Sequence, residues 1–248
     1  MKKLENIVYG SFPESTVMDI YLPEGEVKST FLYFHGGGLT GGDKASSKVF
    51  AEYLTARGIA LATANYRMYP EAKYPDFVID AANAASFIRG FMKRETGTEK
   101  LFIGGSSAGG YLSMMLCFDK RYLTNSGVAP SSIAGYFHDA GQPTSHFNVL
   151  KERGCDSRRI IVDESAPIYF VGLEEKYPRM RFIVSDDDMK GRYEQTMMML
   201  STLEHFGYKN FDHRVMHGKH CAYCSRTDEC GDGVLGKMIY DFIKDSEN

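Results

Sequence analysis

The stretch Leu101-Phe102-Ile103-Gly104-Gly105-Ser106-Ser107-Ala108-Gly109-Gly110 sets a Gly-x-Ser-x-Gly pentapeptide between an apolar run of strand length and a segment of helical pattern. In an elbow of this kind the central serine takes a strained backbone conformation that exposes its oxygen above the sheet. Glycines two positions to either side let strand and helix approach without side-chain clashes. The central residue is Ser107, the candidate nucleophile, and Ser106 stands in the wrong register. The pentapeptide alone also fits a glycine-rich loop that holds a phosphate at a helix N-terminus, so the choice rests on the rest of the chain.

A second glycine cluster decides it. His35-Gly36-Gly37-Gly38 follows the apolar run Phe31-Leu32-Tyr33-Phe34, and with Gly41, Gly42, Gly104, Gly105, Gly109 and Gly110 these two regions hold nine of the 25 glycines. Attack on a carbonyl builds negative charge on its oxygen, and backbone N–H groups left uncovered by side chains can point at that charge. The N–H groups of Gly37, Gly38 and Ala108 are the expected oxyanion hole, and His35 is a candidate substrate contact.

Working outward, short β-rich runs alternate with helical patterns. Val17–Leu22 reads as an edge strand and Ile59–Thr63 as a second strand. Phe77, Ala81, Ala84, Ile88 and Phe91 recur at helical spacing. Strands are expected again at Leu101–Ile103, Phe182–Val184 and Phe211–Met216, with helices at Lys48–Ala56, Gly109–Phe118, Arg192–Phe206 and Gly233–Lys244. Such alternation predicts an α/β fold with a mostly parallel sheet covered by helices on both faces, where ligands bind beyond the carboxyl ends of the strands. The chain reads as one domain over residues 1–248. Gly135 to Pro167 breaks the rhythm and is expected to be an irregular, cap-like insertion roofing part of the site, from which His138, Asp139 and His146 are candidates to reach the substrate.

Composition agrees with one ordinary globular domain: 248 residues, 43% apolar, 25% charged, 8 prolines. A net charge of −3 leaves no electrostatic footprint for nucleic acid. No apolar run reaches the length of a membrane span, and Met1-Lys2-Lys3-Leu4-Glu5-Asn6 opens no signal-peptide core. Five cysteines, with Cys221, Cys224 and Cys230 close together, are read as reduced thiols in a cytoplasmic protein. A small-molecule substrate is expected, with no nucleic-acid or membrane partner, in a monomer or homodimer.

With these motifs quoted, the chain resembles the α/β-hydrolase carboxylesterases of the hormone-sensitive-lipase and acetyl-esterase type. The resemblance runs from Tyr33-Phe34-His35-Gly36-Gly37-Gly38 through Asn65-Tyr66-Arg67 and Tyr74-Pro75-Asp76 to the C-terminal histidines. Larger members carry an N-terminal helical cap, whereas few residues here precede the first expected strand. The resemblance implies a triad in the order serine, acid, histidine. If Ser185 stands where the family has glycine, the acid is Asp188, with Asp186 as the alternative; Met189 replaces the family's usual proline. Among His213, His217 and His220, the position just past a glycine in the loop after the strand matches His220 best and His217 second, while His213 falls within a strand and reads as structural.

What the resemblance implies is a serine esterase for small acyl esters, acetyl on a carbohydrate among them, that needs no cofactor. Two other functions compete: an arylformamidase or acylaminopeptidase-like amide hydrolase, and a catalytically silent ligand-binding member of the fold. Separately, His220-Cys221-x-x-Cys224 with Cys230 has residue types that bind zinc. No second Cys-x-x-Cys or His pair completes four ligands, so no metal is expected.

Overall fold

The computed structural model describes residues 1–247. In chain order its main elements are β1 (Lys2–Val8), β2 (Val17–Leu22), β3 (Ser29–Phe34), α1 (Lys48–Thr55), β4 (Ile59–Ala64), α2 (Asp76–Thr96), β5 (Leu101–Ser106), α3 (Ala108–Phe118), α4 (Lys120–Asn125), β6 (Ile133–Asp139), α5 (Phe147–Glu152), β7 (Arg179–Asp187), α6 (Arg192–His205), β8 (Phe211–Lys219) and α7 (Val234–Asp245). The strands form one sheet in the order β1-β2-β4-β3-β5-β6-β7-β8. β2 is antiparallel to both β1 and β4, and every pairing from β4 to β8 is parallel.

The two-residue period of a strand sorts side chains between the two faces. In β3, Leu32 and Phe34 join the core beneath α2, α3 and α6, while Phe31 and Tyr33 join the core beneath α1 and α7. Because helices cover both faces, β3, β4 and β5 are buried at every position, which is why they read as continuous apolar runs instead of alternating ones. The central helix α3 is likewise buried all round, as a helix sandwiched between sheet and neighbouring helices must be.

Two expectations change. Val17–Leu22 is not the edge: β1 pairs outside it, and β1 escaped notice because Lys2-Lys3-Leu4-Glu5-Asn6 shows only a weak apolar alternation. The expected insertion at Gly135–Pro167 starts too early, since Ile133–Asp139 is β6 and pairs between β5 and β7. Its glycine and polar end disguised it, and its burial comes from neighbours remote in sequence. Irregular chain begins at Ala140 and carries the short helix α5 and a 3-10 turn at Pro167–Phe170.

Candidate active site

β5 ends at Ser106, and Ser107 makes the turn into α3 with φ 56° and ψ −113°, a strained conformation for a residue with a side chain. Two features hold it there. Its N–H donates to the carbonyl of Asp139 at 2.7 Å, and the flanking glycines allow a close crossing. A Cβ at Gly105 would sit 2.5 Å, and one at Gly109 1.9 Å, from the carbonyl oxygen of Phe34, so neither position accepts a larger residue without moving β3. Ser106 points the other way into the interior: it accepts from the Tyr33 hydroxyl at 2.8 Å and donates to the buried Asp139 carboxylate.

The loops after β7 and β8 complete a chain of hydrogen bonds. His220 Nε2 lies 2.8 Å from Ser107 Oγ, and His220 Nδ1 lies 2.5 Å from Asp188 Oδ1. The Asp188 side chain has no solvent exposure. Burial works to raise its pKa, but His220 and the N–H groups of Met189 and Ser185 outweigh it and hold the carboxyl below its usual range. For His220 burial works downward, yet the Asp188 hydrogen bond and the sulfur of Cys221 outweigh it and the ring is pushed up to about 9. Asp186 is placed elsewhere: with His217 it forms a separate 2.8 Å pair in which the His217 side chain is 98% exposed. His213 is exposed on the edge strand β8, not packed in a core as a structural histidine would be.

The loop after β3 runs alongside the serine; a Cβ at Gly36 would lie 3.2 Å from that of Ser107. Gly37 and Gly38 take φ +118° and +67°, conformations that glycine adopts without penalty. Ala108 opens α3, where the first N–H groups lack an intrahelical acceptor. Among the described residues, the N–H groups of Gly37, Gly38 and Ala108 donate to no protein acceptor. Asn148 of α5 donates to the Gly38 carbonyl at 2.5 Å and so ties the irregular segment to this turn. Sequence reading missed Asn148, for which a lone asparagine offers no signal.

The histidines expected to contact substrate do something else. His35 is 1% exposed, stacked on Tyr66 with its Nδ1 against the Gly36 carbonyl, where it shapes the loop. His146 is 2% exposed, lies between Tyr111 and Phe147, and accepts from the Asn148 N–H as the cap of α5. Burial pushes its pKa down to about 3, so the ring is neutral. His138 is buried among Tyr136, Phe118 and Phe182. Residues 135–146 are buried throughout, so His138 in β6 and His146 before α5 are fixed by packing and not carried on an open loop. Arg67 makes a two-point pair with Asp80 of α2 at 2.8 and 2.9 Å, which is structural.

Asp139 lies beneath the elbow. Burial raises its pKa, although Ser106, Tyr223 and Cys224 all donate to it. Asp139, Cys221 and Cys224 bring their ligand atoms within 4.8 Å of one another, while Cys230 is exposed and apart from them. This set differs from the His-Cys-Cys-Cys grouping suggested by the sequence.

Residues 18–140 match the BD-FAE family. A probable isoprenylcysteine alpha-carbonyl methylesterase of Arabidopsis thaliana is 29% identical over 143 residues, covering 55% of this chain and 34% of that protein. The chain thus spans about a quarter to a third of the length of the curated relatives it matches. In three dimensions it is similar to a butyrate-bound esterase from the Planctomycetes species Thermogutta terrifontis, with TM-score 0.76 and 19% identity over 96% of this chain and 92% of that one. It is also similar to a truncated carbohydrate esterase from gut microbiota, with TM-score 0.77 and 18% identity over 100% and 97% of the two chains. At such identities the likeness is one of fold.

Proposed function

We infer, from the match of residues 18–140 to the BD-FAE family and from the geometry of the site, that the chain is a hormone-sensitive-lipase-like α/β-hydrolase acting as a serine carboxylesterase on small esters. The observation that carries the inference is the unbroken chain Ser107–His220–Asp188 at 2.8 and 2.5 Å, ending on a strained, glycine-flanked serine. Ser107 attacks the ester carbonyl while His220 Nε2 takes its proton. The N–H groups of Gly37, Gly38 and Ala108 receive the developing oxyanion, and His220 then protonates the leaving alcohol. Water hydrolyses the acyl-enzyme by the same proton transfers in reverse. Asp188 fixes the histidine tautomer and stabilises the imidazolium.

Two of several clefts of similar volume bear on the choice of site. One of about 560 Å³, lined by Lys120, Pro130, Arg179 and Asp245, lies where β6 and β7 begin, at the end opposite Ser107, so it is not a site for this chemistry. The other, about 520 Å³, lies beside the Gly38 turn and is lined by Thr40, Tyr69, Lys73, Asn148, Lys151 and Glu152. Their hydroxyl, amide and charged groups stand in a lining whose surface is otherwise mainly apolar, with Pro70 among it, which supports an ester with a hydroxyl-bearing leaving group and a short acyl chain, such as an acetylated sugar. A panel of nitrophenyl esters of rising acyl length, run beside acetylated oligosaccharides and formyl anilides, tests the reading. Turnover falling with acyl length and extending to acetylated sugars is the expected result; hydrolysis of the anilides alone would replace it with an amide hydrolase.

Two further outcomes follow from the geometry. The raised His220 pKa means that the resting ring holds a proton at neutral pH, and only its neutral form can accept the serine proton. The kcat/KM profile, which reports the free enzyme, is therefore expected to climb with pH, its acid limb above the ordinary imidazole value near 6.5. Asn148→Ala, which releases the Gly38 carbonyl, is expected to lower kcat by about tenfold with KM little changed, because the hole acts mainly on the transition state; an equal rise in KM alone would place Asn148 in substrate binding instead.

A further inference from the structure

We propose that Cys221 and Cys224 form a reversible, peroxide-oxidisable dithiol that switches the neighbouring His220. Cys221 Sγ lies 3.7 Å from His220 Nε2, and Cys224 Sγ lies 3.4 Å from Asp139 Oδ2 and 3.6 Å from Ser106 Oγ. The two sulfurs are within 4.8 Å of each other. The N–H of Cys224 donates to the Cys221 carbonyl at 3.0 Å, a four-residue turn that keeps the two Cα atoms under about 7 Å, and disulfides need about 4.4–6.8 Å. Both residues are partly exposed, unlike the buried Cys117. Cys221 also holds a left-handed backbone, φ 53°, without being glycine, so the segment carrying it next to His220 is strained.

The chemistry around the pair separates an attacking sulfur from a resolving one. The Cys224 S–H and His220 hold the Cys221 thiol below its usual pKa, against burial and the charge of Asp139. The hydrogen bond to Cys221, burial and the charge of Asp139 push the Cys224 thiol up, against Ser106, and keep it protonated. A low-pKa thiol beside a resolving thiol is the arrangement of redox-sensing cysteines. The Cys221 thiolate attacks a hydroperoxide; the S–O bond forms, the O–O bond breaks, and the departing alkoxide or hydroxide takes a proton. Cys224 then attacks the sulfenic sulfur, the S–S bond forms, and the S–O oxygen leaves as water with the Cys224 proton. The two thiols have supplied two electrons, and an added dithiol returns them.

Closing the sulfurs to about 2.05 Å must move the segment that also places His220 between Ser107 and Asp188. A shift of about 1 Å costs about 10²-fold in rate. The effect on turnover rests on the esterase reading; formation of the bond does not. In the test, the reduced protein is treated with hydrogen peroxide. Peptide mapping is expected to show a Cys221–Cys224 disulfide with two hydrogens lost, ester turnover falling at least tenfold, and dithiothreitol restoring both. In Cys224→Ser, peroxide is expected to carry Cys221 to sulfinic acid, and reductant no longer restores the loss; Cys230→Ser is expected to behave as the parent. Each variant is compared with its own untreated rate, and its thermal midpoint reports folding. The proposal is overturned if the Cys221–Cys224 pair stays reduced while other cysteines oxidise, or if the disulfide forms and turnover is unchanged. Labelling of Ser107 by a phosphonate in the reduced protein tests the esterase reading separately.

Discussion

Ser107→Ala is expected to lower ester turnover by about 10⁶-fold, the scale at which removing the nucleophile of a coupled triad leaves only the contribution of binding and the oxyanion hole. Ser106→Ala is expected to keep substantial activity despite standing next in sequence. The hydroxyl of Ser106 is directed at Asp139 and Tyr33, away from His220. Its loss leaves the buried Asp139 carboxylate one donor short, a stability cost of about 1–3 kcal/mol, which a lowered thermal midpoint would report. An organophosphonate should modify Ser107 alone. A label on Ser106 or Cys221 would sink the assignment.

His220→Ala is expected to cost nearly as much as loss of the serine, since the two act as a unit, and Asp188→Asn about 10⁴-fold, because the amide stabilises the wrong tautomer. The neighbouring pair supplies the contrast. Asp186→Asn and His217→Ala remove a solvent-exposed ion pair, which water and salt screen, so both variants should keep most of their activity. A metal role for His220 makes the opposite demand, since a closed zinc site would occupy the nitrogen that must receive the serine proton. Prolonged chelation is therefore expected to leave activity intact, checked by esterase assay and elemental analysis. If Asp186→Asn proved the more damaging acid substitution, or if chelation removed both zinc and turnover, the triad would have to be reassigned.

The local motifs were legible because backbone chemistry acts over a few residues. Gly105 and Gly109 mark a crossing where no Cβ fits, and the apolar runs of β3, β4 and β5 mark strands covered on both faces, so the α/β class and the position of the elbow follow from residues adjacent in the chain. Asp188 and His220 were narrowed by family resemblance and by spacing from a strand end, but three consecutive aspartates and three nearby histidines differ only in where the loops turn. That difference arises through register: Asp187 pairs with Lys219 across a bulge between β7 and β8, which sends Asp186 and His217 to solvent and Asp188 and His220 inward. Long-range packing alone buried His35 and His146, brought Asn148 to Gly38 across 110 positions of sequence, and set Asp139, at the end of an unrecognised strand, beneath Ser107 and beside two cysteines more than eighty residues further on. Propensity and spacing carry no record of such contacts, since each depends on the twist and order of the whole sheet.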